Sequence, residues 1–297
     1  ANMSLAIKGI IPAMVTPFHK NGEVNEEVLR QLVNHLIDGG VHGLFPIGSQ
    51  GEFFALTLEE KSRVLEIVVE ETRGRVPVYA GTGALTTADA VAATKMAEEV
   101  GADAVSVITP YFISPNEQEL YEHFAAIANA VEIPVLLYNS VGRTGVNISA
   151  DLVERLAKID NVKGIKDSSG DLTLTGEYLR RTPDTFSVLV GRDTLIYAAL
   201  CMGGKGSITA TANVAPRLVS EIYDAFVEGD FERSLECQKK LAPLRIAFGL
   251  GTFPVVVKEA LTLIGIEAGP CRKPVGPMSD DKRAELRDVL QGMGFEV

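Results

Sequence analysis

Up to about residue 213, short apolar runs rich in valine and isoleucine alternate with longer stretches of helical periodicity. The runs predict strands at 9–15, 43–47, 76–80, 103–108, 133–139, 162–167, 186–190 and 205–209. Helices are predicted between them, at 25–38, 57–73, 86–100, 117–131, 149–158, 171–181 and 194–202. Val28, Leu29, Leu32, Val33, Leu36 and Ile37 fall on one helical stripe. Thr57 with Glu60, and Ser114 with Glu117 across Pro115, fit the pattern of reciprocal capping at a helix start. Gly39-Gly40, Gly101 and Gly203-Gly204 stand where helix C-termini favour a left-handed residue.

Strands that alternate with helices form parallel β-α units, and strands apolar on both faces suit a sheet covered on both sides. Eight such units predict an α/β fold, a closed (β/α)₈ TIM barrel. From about residue 214 only helical patterns remain, at 214–228, 230–248, 253–265 and 279–292. The first of these closes the barrel. The expected division is therefore a catalytic barrel over 1–228 and a C-terminal helical extension over 229–297.

With 297 residues, 46% of them hydrophobic, the chain can bury a large core. No run approaches the ~18 apolar residues of a membrane span. Ala1-Asn2-Met3-Ser4 opens no secretory signal, and Ala1-Asn2 read as a tag remnant. The net charge of -11 argues against nucleic acid and anionic membranes as partners, but leaves room for a local basic pocket. Cys201, Cys237 and Cys271 are odd in number and far apart, which reads as reduced thiols in a cytoplasm. His19, His35, His42 and His123 lack metal-ligand spacing, and Gly81-Thr82-Gly83 lacks the third glycine of a dinucleotide loop. Asp167 and Asp171 read as capping residues rather than magnesium ligands.

In such a barrel the chemistry belongs at the C-terminal ends of the strands. Lys163 and Lys166 are three apart and face opposite sides of their strand. Val162, Gly164 and Lys166 share the face expected to point inward. A buried ammonium loses hydration, which favours the neutral amine that can attack a carbonyl. The other reading is a lysine that leans out to solvent or pairs with an aspartate. Tyr138 ends the neighbouring strand, where a phenol could shuttle protons or simply pack at the rim. Gly48-Ser49-Gln50-Gly51-Glu52 is either an ordinary turn or a cradle of N–H groups for a carboxylate. Arg143 stands in a glycine-flanked loop, either solvated or set to pair with a second carboxylate.

These residues, taken in order, resemble the dihydrodipicolinate synthase and N-acetylneuraminate lyase family of class I aldolases. G-S-Q-G-E resembles that family's pyruvate-carboxylate loop, Y-N-S-V-G-R-T-G its catalytic-tyrosine segment, and G-I-K-D-S-S-G-D its Schiff-base lysine segment. G-S-I-T-A-T-A-N-V is similar to its eighth strand. The resemblance runs from about residue 7 to the C-terminus. It implies that Lys166 forms a Schiff base with pyruvate or another 2-oxo acid, and that Tyr138 relays protons. It further implies that Ser49 and the Gln50 N–H bind the carboxylate, and that Gly48, Gly191 and Ile208 help line the site. No metal or organic cofactor is implied, because the iminium is the electron sink. A cytoplasmic homotetramer, a dimer of dimers, is the implied assembly.

Departures from the pattern bear on the second substrate. The synthase branch has Thr-Thr where this chain has Ser49-Gln50, and it borrows a tyrosine across the dimer interface where this chain has Phe112, after Tyr111. G-T-F-P-V-V-V-K replaces its Asn-Pro stretch, and G-P-C-R-K-P-V resembles branches acting on 2-keto-3-deoxy acids or 4-hydroxy-2-oxoglutarate. Arg143, by contrast, matches the synthase arginine. The expectation is a pyruvate-dependent lyase, first an aldolase of a small hydroxylated 2-oxo acid. 4-Hydroxy-tetrahydrodipicolinate synthase is the alternative and a keto-deoxy sugar acid dehydratase the third reading.

Overall fold

Strands β1 (Gly9–Pro12), β2 (Tyr79–Gly81), β3 (Ala104–Ile108), β4 (Val135–Asn139), β5 (Val162–Asp167), β6 (Ser187–Val190) and β7 (Gly206–Thr209) pair in parallel. Their order is β1-β7-β6-β5-β4-β3-β2. This is a computed structural model, and it describes residues 5–297; the readings made at Ala1 to Ser4 lie outside them. Segment 43–47, expected as a regular strand, is reduced to two parallel bridges, Ala13 to Phe45 and Leu44 to Val78. Pro46 has no N–H to give, and Ile47 takes a left-handed φ of 54°, so the ladder cannot extend. The bridges still close the barrel between β1 and β2. Phe45 N donates to Pro12 O at 2.9 Å and Tyr79 N to Leu44 O at 2.8 Å.

The helices follow the strands: α1 (Glu26–Asp38), α2 (Leu58–Thr72), α3 (Thr87–Val100), α4 (Glu117–Asn129), α5 (Val141–Thr144), α6 (Ala150–Leu156), α7 (Leu172–Arg181), α8 (Ile196–Cys201) and α9 (Pro216–Val227). Thr57 and Glu60 form the expected capping box of α2. On α4 the box is made by Asn116 and Glu119 instead of Ser114 and Glu117. Both partners there are met, Asn116 N donating to Glu119 Oε1 at 2.8 Å and Glu119 N to Asn116 Oδ1 at 2.9 Å. Gly40, Gly101 and Gly203 take positive φ just beyond helix ends, as expected. The short helix α5 occupies what reads in the sequence as a loop.

Two apolar cores result. An inner one, including Ile11, Phe45, Tyr79, Leu136, Leu189 and Ile208, fills the barrel. The larger outer one lies between strands and helices. The β4–β5 register skips Lys163, pairing Val135 with Val162 but Leu136 with Gly164. Val162 therefore packs in the outer core rather than facing inward with Gly164 and Lys166 as strict alternation predicts. Beyond α9, α10 (Phe231–Ile246), α11 (Val255–Leu263) and α12 (Asp280–Gly292) form the C-terminal helices. Gln238 of α10 clips them to the barrel, accepting from Tyr197 N at 2.9 Å and donating to Asp193 O at 2.8 Å. No single helix among the described residues is long and apolar enough to cross a membrane.

Candidate active site

The C-terminal ends of the strands open into a cavity of about 410 Å³, roofed by Phe248, Phe253 and Pro254 from the C-terminal helical region. Lys166 lines it and is 5% exposed, whereas Lys163 of the same strand is exposed. The parallel register sets Tyr138 directly beside Lys166. Lys166 Nζ lies 4.1 Å from the centroid of the Tyr138 ring and 5.4 Å from that of Phe45. Ser49 Oγ lies 3.3 Å from Tyr138 Oη, joining the loop after the second strand position to the end of β4. Burial opposes ionisation of Tyr138. The Lys166 charge and hydrogen bonds with Ser49, Lys166 and Ser140 outweigh it, so the phenol titrates below its ordinary value.

The loop around Ser49 has donors to spare. The N–H groups of Glu52 and Phe53 are taken by the carbonyls of Ser49 and Gly48, at 3.1 and 3.2 Å. Among the described residues no protein acceptor takes the Gln50 N–H. Gln50 lines the cavity, and its buried Oε1 has no hydrogen-bond partner among the described residues. Gly48 does not line the main cavity. It lies against Phe45, where an added Cβ would come 2.5 Å from Phe45 Cε1. Gly191 is crowded for a different reason, since a Cβ there would meet Lys166 Cε at 2.7 Å and Ser168 Oγ at 1.9 Å and would force those side chains to shift.

Ile208 of β7 and Arg143 of α5 also line the cavity, and the Arg143 guanidinium stacks 3.9 Å from the Phe253 centroid. Tyr111 and Phe112 are not brought into this chain's cavity. Tyr111 packs edge-on against Phe53, and burial followed by the Asp89 charge raises its pKa. Phe112 is 94% exposed with φ 72°. Asp171 caps α7, as expected, through Thr173 N and Leu174 N. Asp167 is buried and held by Thr175 Oγ1 at 2.7 Å, which makes it an anchor for the turn into α7.

A profile of the Dihydrodipicolinate synthetase family matches residues 6–293. The chain belongs to this family. It is similar to the 4-hydroxy-tetrahydrodipicolinate synthase of Methanothrix thermoacetophila, with 44% identity over 96% of this chain and 97% of that one. It is also similar to that of Archaeoglobus fulgidus, with 42% identity over 96% and 98%. Among solved structures, dihydrodipicolinate synthase from Aquifex aeolicus superposes with a TM-score of 0.94 at 38% identity, covering 97% and 99% of the two chains. The chloride-inhibited dihydrodipicolinate synthase of Acinetobacter baumannii, solved with pyruvate, gives 0.95 at 36% identity, covering 98% and 100%. Both the TIM-barrel fold and the lyase class follow for this chain.

Within this Dihydrodipicolinate synthetase family member, three features of the site escape sequence reading. Arg192 and Arg245 line the cavity beside Arg143. Lys258 forms a buried ion pair with Glu52, 2.7 Å from Nζ to Oε2, directly behind the Ser49 loop. The G-R-D order after β6 and the lysine in V-V-V-K were the only signals, and neither discloses a partner without the fold.

Proposed function

We propose that the cavity joins pyruvate to aspartate semialdehyde, as a 4-hydroxy-tetrahydrodipicolinate synthase. The observation that carries this reading is the Lys166–Tyr138–Ser49 set at one barrel mouth, in a chain whose near full-length relatives bear that name. Lys166 Nζ adds to C2 of pyruvate, Tyr138 protonates the departing hydroxyl, and water leaves an iminium. The Tyr138 phenolate so formed takes a proton from C3; the C–H pair becomes the C2–C3 double bond and the C–N π pair moves onto nitrogen, which gives the enamine and restores the phenol. C3 then bonds to the aldehyde carbon, while the aldehyde oxygen takes a proton from the Tyr138–Ser49 pair. The amino group of the semialdehyde attacks C2, displaces Lys166 and closes the ring, which returns the free amine. Ser49 Oγ and the unpaired Gln50 N–H hold the pyruvate carboxylate, and Arg143 meets the acceptor carboxylate.

An aldolase of a hydroxylated 2-oxo acid is the second reading. Gln50 favours it, because its buried Oε1 offers an acceptor to a substrate hydroxyl. Phe112 favours it too, because it lacks the hydroxyl that the synthase branch borrows. The full-length relatives favour the synthase. Exposed Phe112, Ile113, Phe54 and Leu58 suit burial against a second copy, in a cytoplasmic homotetramer.

Trapping with borohydride tests the shared chemistry. Pyruvate should leave one reduced adduct, mapped to Lys166 and absent from Lys166→Ala. An adduct that persists in that variant removes Lys166 from its role. Turnover of aspartate semialdehyde to a cyclic product, against cleavage of 4-hydroxy-2-oxoglutarate, then decides between the two readings.

A further inference from the structure

The reading above gives the acceptor a single arginine, Arg143. The cavity holds two more, Arg192 beside Gly191 and Arg245 on α10. Among the described residues none of the three is in an ion pair, unlike Arg63 with Glu26 or Arg181 with Glu154. Arg192 lies against Gly170, where an added Cβ would come 3.3 Å from its Cζ, so it overhangs the turn after Lys166. Arg143 stacks on Phe253, and the Arg245 guanidinium lies 5.0 Å from the centroid of Phe248. A guanidinium stacked by its face keeps its N–H edge free for an oxyanion. Asp193 is the one acid among the described residues that line the cavity; it is buried and accepts Thr211 N at 2.8 Å. Burial lowers the Arg245 pKa. Asp193 opposes this, and the charges of Arg192 and Arg143 add to it. Three arginines against one carboxylate leave an excess of positive charge around this mouth, in a chain of net charge -11, and that excess favours an anion.

We propose that Arg192 and Arg245 complete with Arg143 a single oxyanion subsite, which selects an acceptor whose end remote from the aldehyde carries a carboxylate or a phosphate. The inference rests on the pyruvate–aldehyde reading and extends it from one arginine to three. Arg192 and Arg245 are thereby specificity-determining residues.

The test compares 2-oxopimelate with 2-oxoheptanoate, which differ only in the distal carboxylate, by calorimetric binding to the full chain. The diacid should bind roughly tenfold or more tightly, on the usual strength of charge-assisted hydrogen bonds. That ratio should fall towards unity in Arg192→Met and in Arg245→Met, and recover in part in Arg192→Lys and Arg245→Lys. Thermal denaturation of each variant confirms that it is folded. Equal binding of the two acids to the wild type, or a ratio that survives in both methionine variants, overturns the proposal. Borohydride trapping of pyruvate in the same samples keeps the two claims apart: a charge preference without an adduct sinks the Schiff-base reading and leaves the subsite standing. Turnover with aspartate semialdehyde, glyceraldehyde 3-phosphate and glyceraldehyde then separates carboxylate from phosphate. A preference for neutral glyceraldehyde counts against the subsite.

Discussion

Lys258 Nζ and Glu52 Oε2 lie 2.7 Å apart, with both side chains wholly shielded from solvent. Lys258 also donates to Pro270 O at 2.9 Å and sits 4.2 Å from the Phe18 centroid. Glu52 accepts Arg272 N at 2.9 Å and takes a left-handed φ of 56°. Glu52 ends the loop that carries Ser49 and Gln50, so the pair ties that loop to α11. Burial lowers the Lys258 pKa, and Glu52 works against the shift. Removing one partner strands a buried charge, at a cost of about 3–5 kcal/mol. Lys258→Met is therefore expected to unfold at lower denaturant and to raise the KM for pyruvate. Adding Glu52→Gln should cost less than the sum of the single changes. An unchanged unfolding midpoint in Lys258→Met would show that the pair holds nothing.

Tyr138 and Ser49 make a paired prediction. Tyr138→Phe should lower kcat by roughly 10²-fold, the usual size of an acid–base contribution. Because the phenol is held below its ordinary value, the alkaline limb it sets should fall below pH 10 in the wild type. Ser49→Ala removes a hydrogen bond that favours the phenolate, so the limb should move up. Steady-state rates against pH check both, and a limb that stays put in Tyr138→Phe assigns it to another group.

Gly191→Ala tests how tightly Lys166 is placed. The added methyl would overlap Ser168 Oγ and crowd Lys166 Cε, so the lysine must shift. The rate of borohydride trapping should fall at least tenfold while the circular dichroism spectrum stays close to wild type, since about 1.4 kcal/mol of misplacement is enough. Trapping at the wild-type rate would mean that the loop yields freely.

Elements whose signal is local were readable. The Val-Ile runs marked the seven paired strands, and V-K-G-I-K-D set Lys166 at a strand end next to Tyr138. Signals that depend on partners distant in sequence were not. The 43–47 segment reads as a strand, yet Pro46 and the turn at Ile47 leave it two bridges. Alternation placed Val162 inward, but the register irregularity at Val135/Leu136 turned it to the outer core. Asn116 displaced Ser114 as the cap because N-x-x-E two residues later satisfies both backbone donors. Arg192, Arg245 and Lys258 lie far along the chain from the Ser49 loop, and only closure of the barrel beneath the C-terminal helices brings them to it.

The last prediction concerns acid. Arg272 donates from Nη1 to Glu60 Oε1 at 2.7 Å and from Nη2 to Glu60 Oε2, pinning the C-terminal segment to α2. The Arg272 hydrogen bonds hold the Glu60 carboxyl at about 2, against opposition from burial and with help from Thr57. Its folded pKa is thus below the unfolded value near 4.5, so the stabilisation is complete above that value and lost as pH falls towards about 2. Glu60→Gln removes the titration. Urea unfolding at stepwise lower pH should show wild type and Glu60→Gln well separated near neutrality and converging between about pH 4.5 and pH 2. Both partners are partly exposed, so added salt should narrow the gap near neutrality as well. Parallel pH curves for the two proteins would mean that the carboxylate keeps no closer partner folded than unfolded.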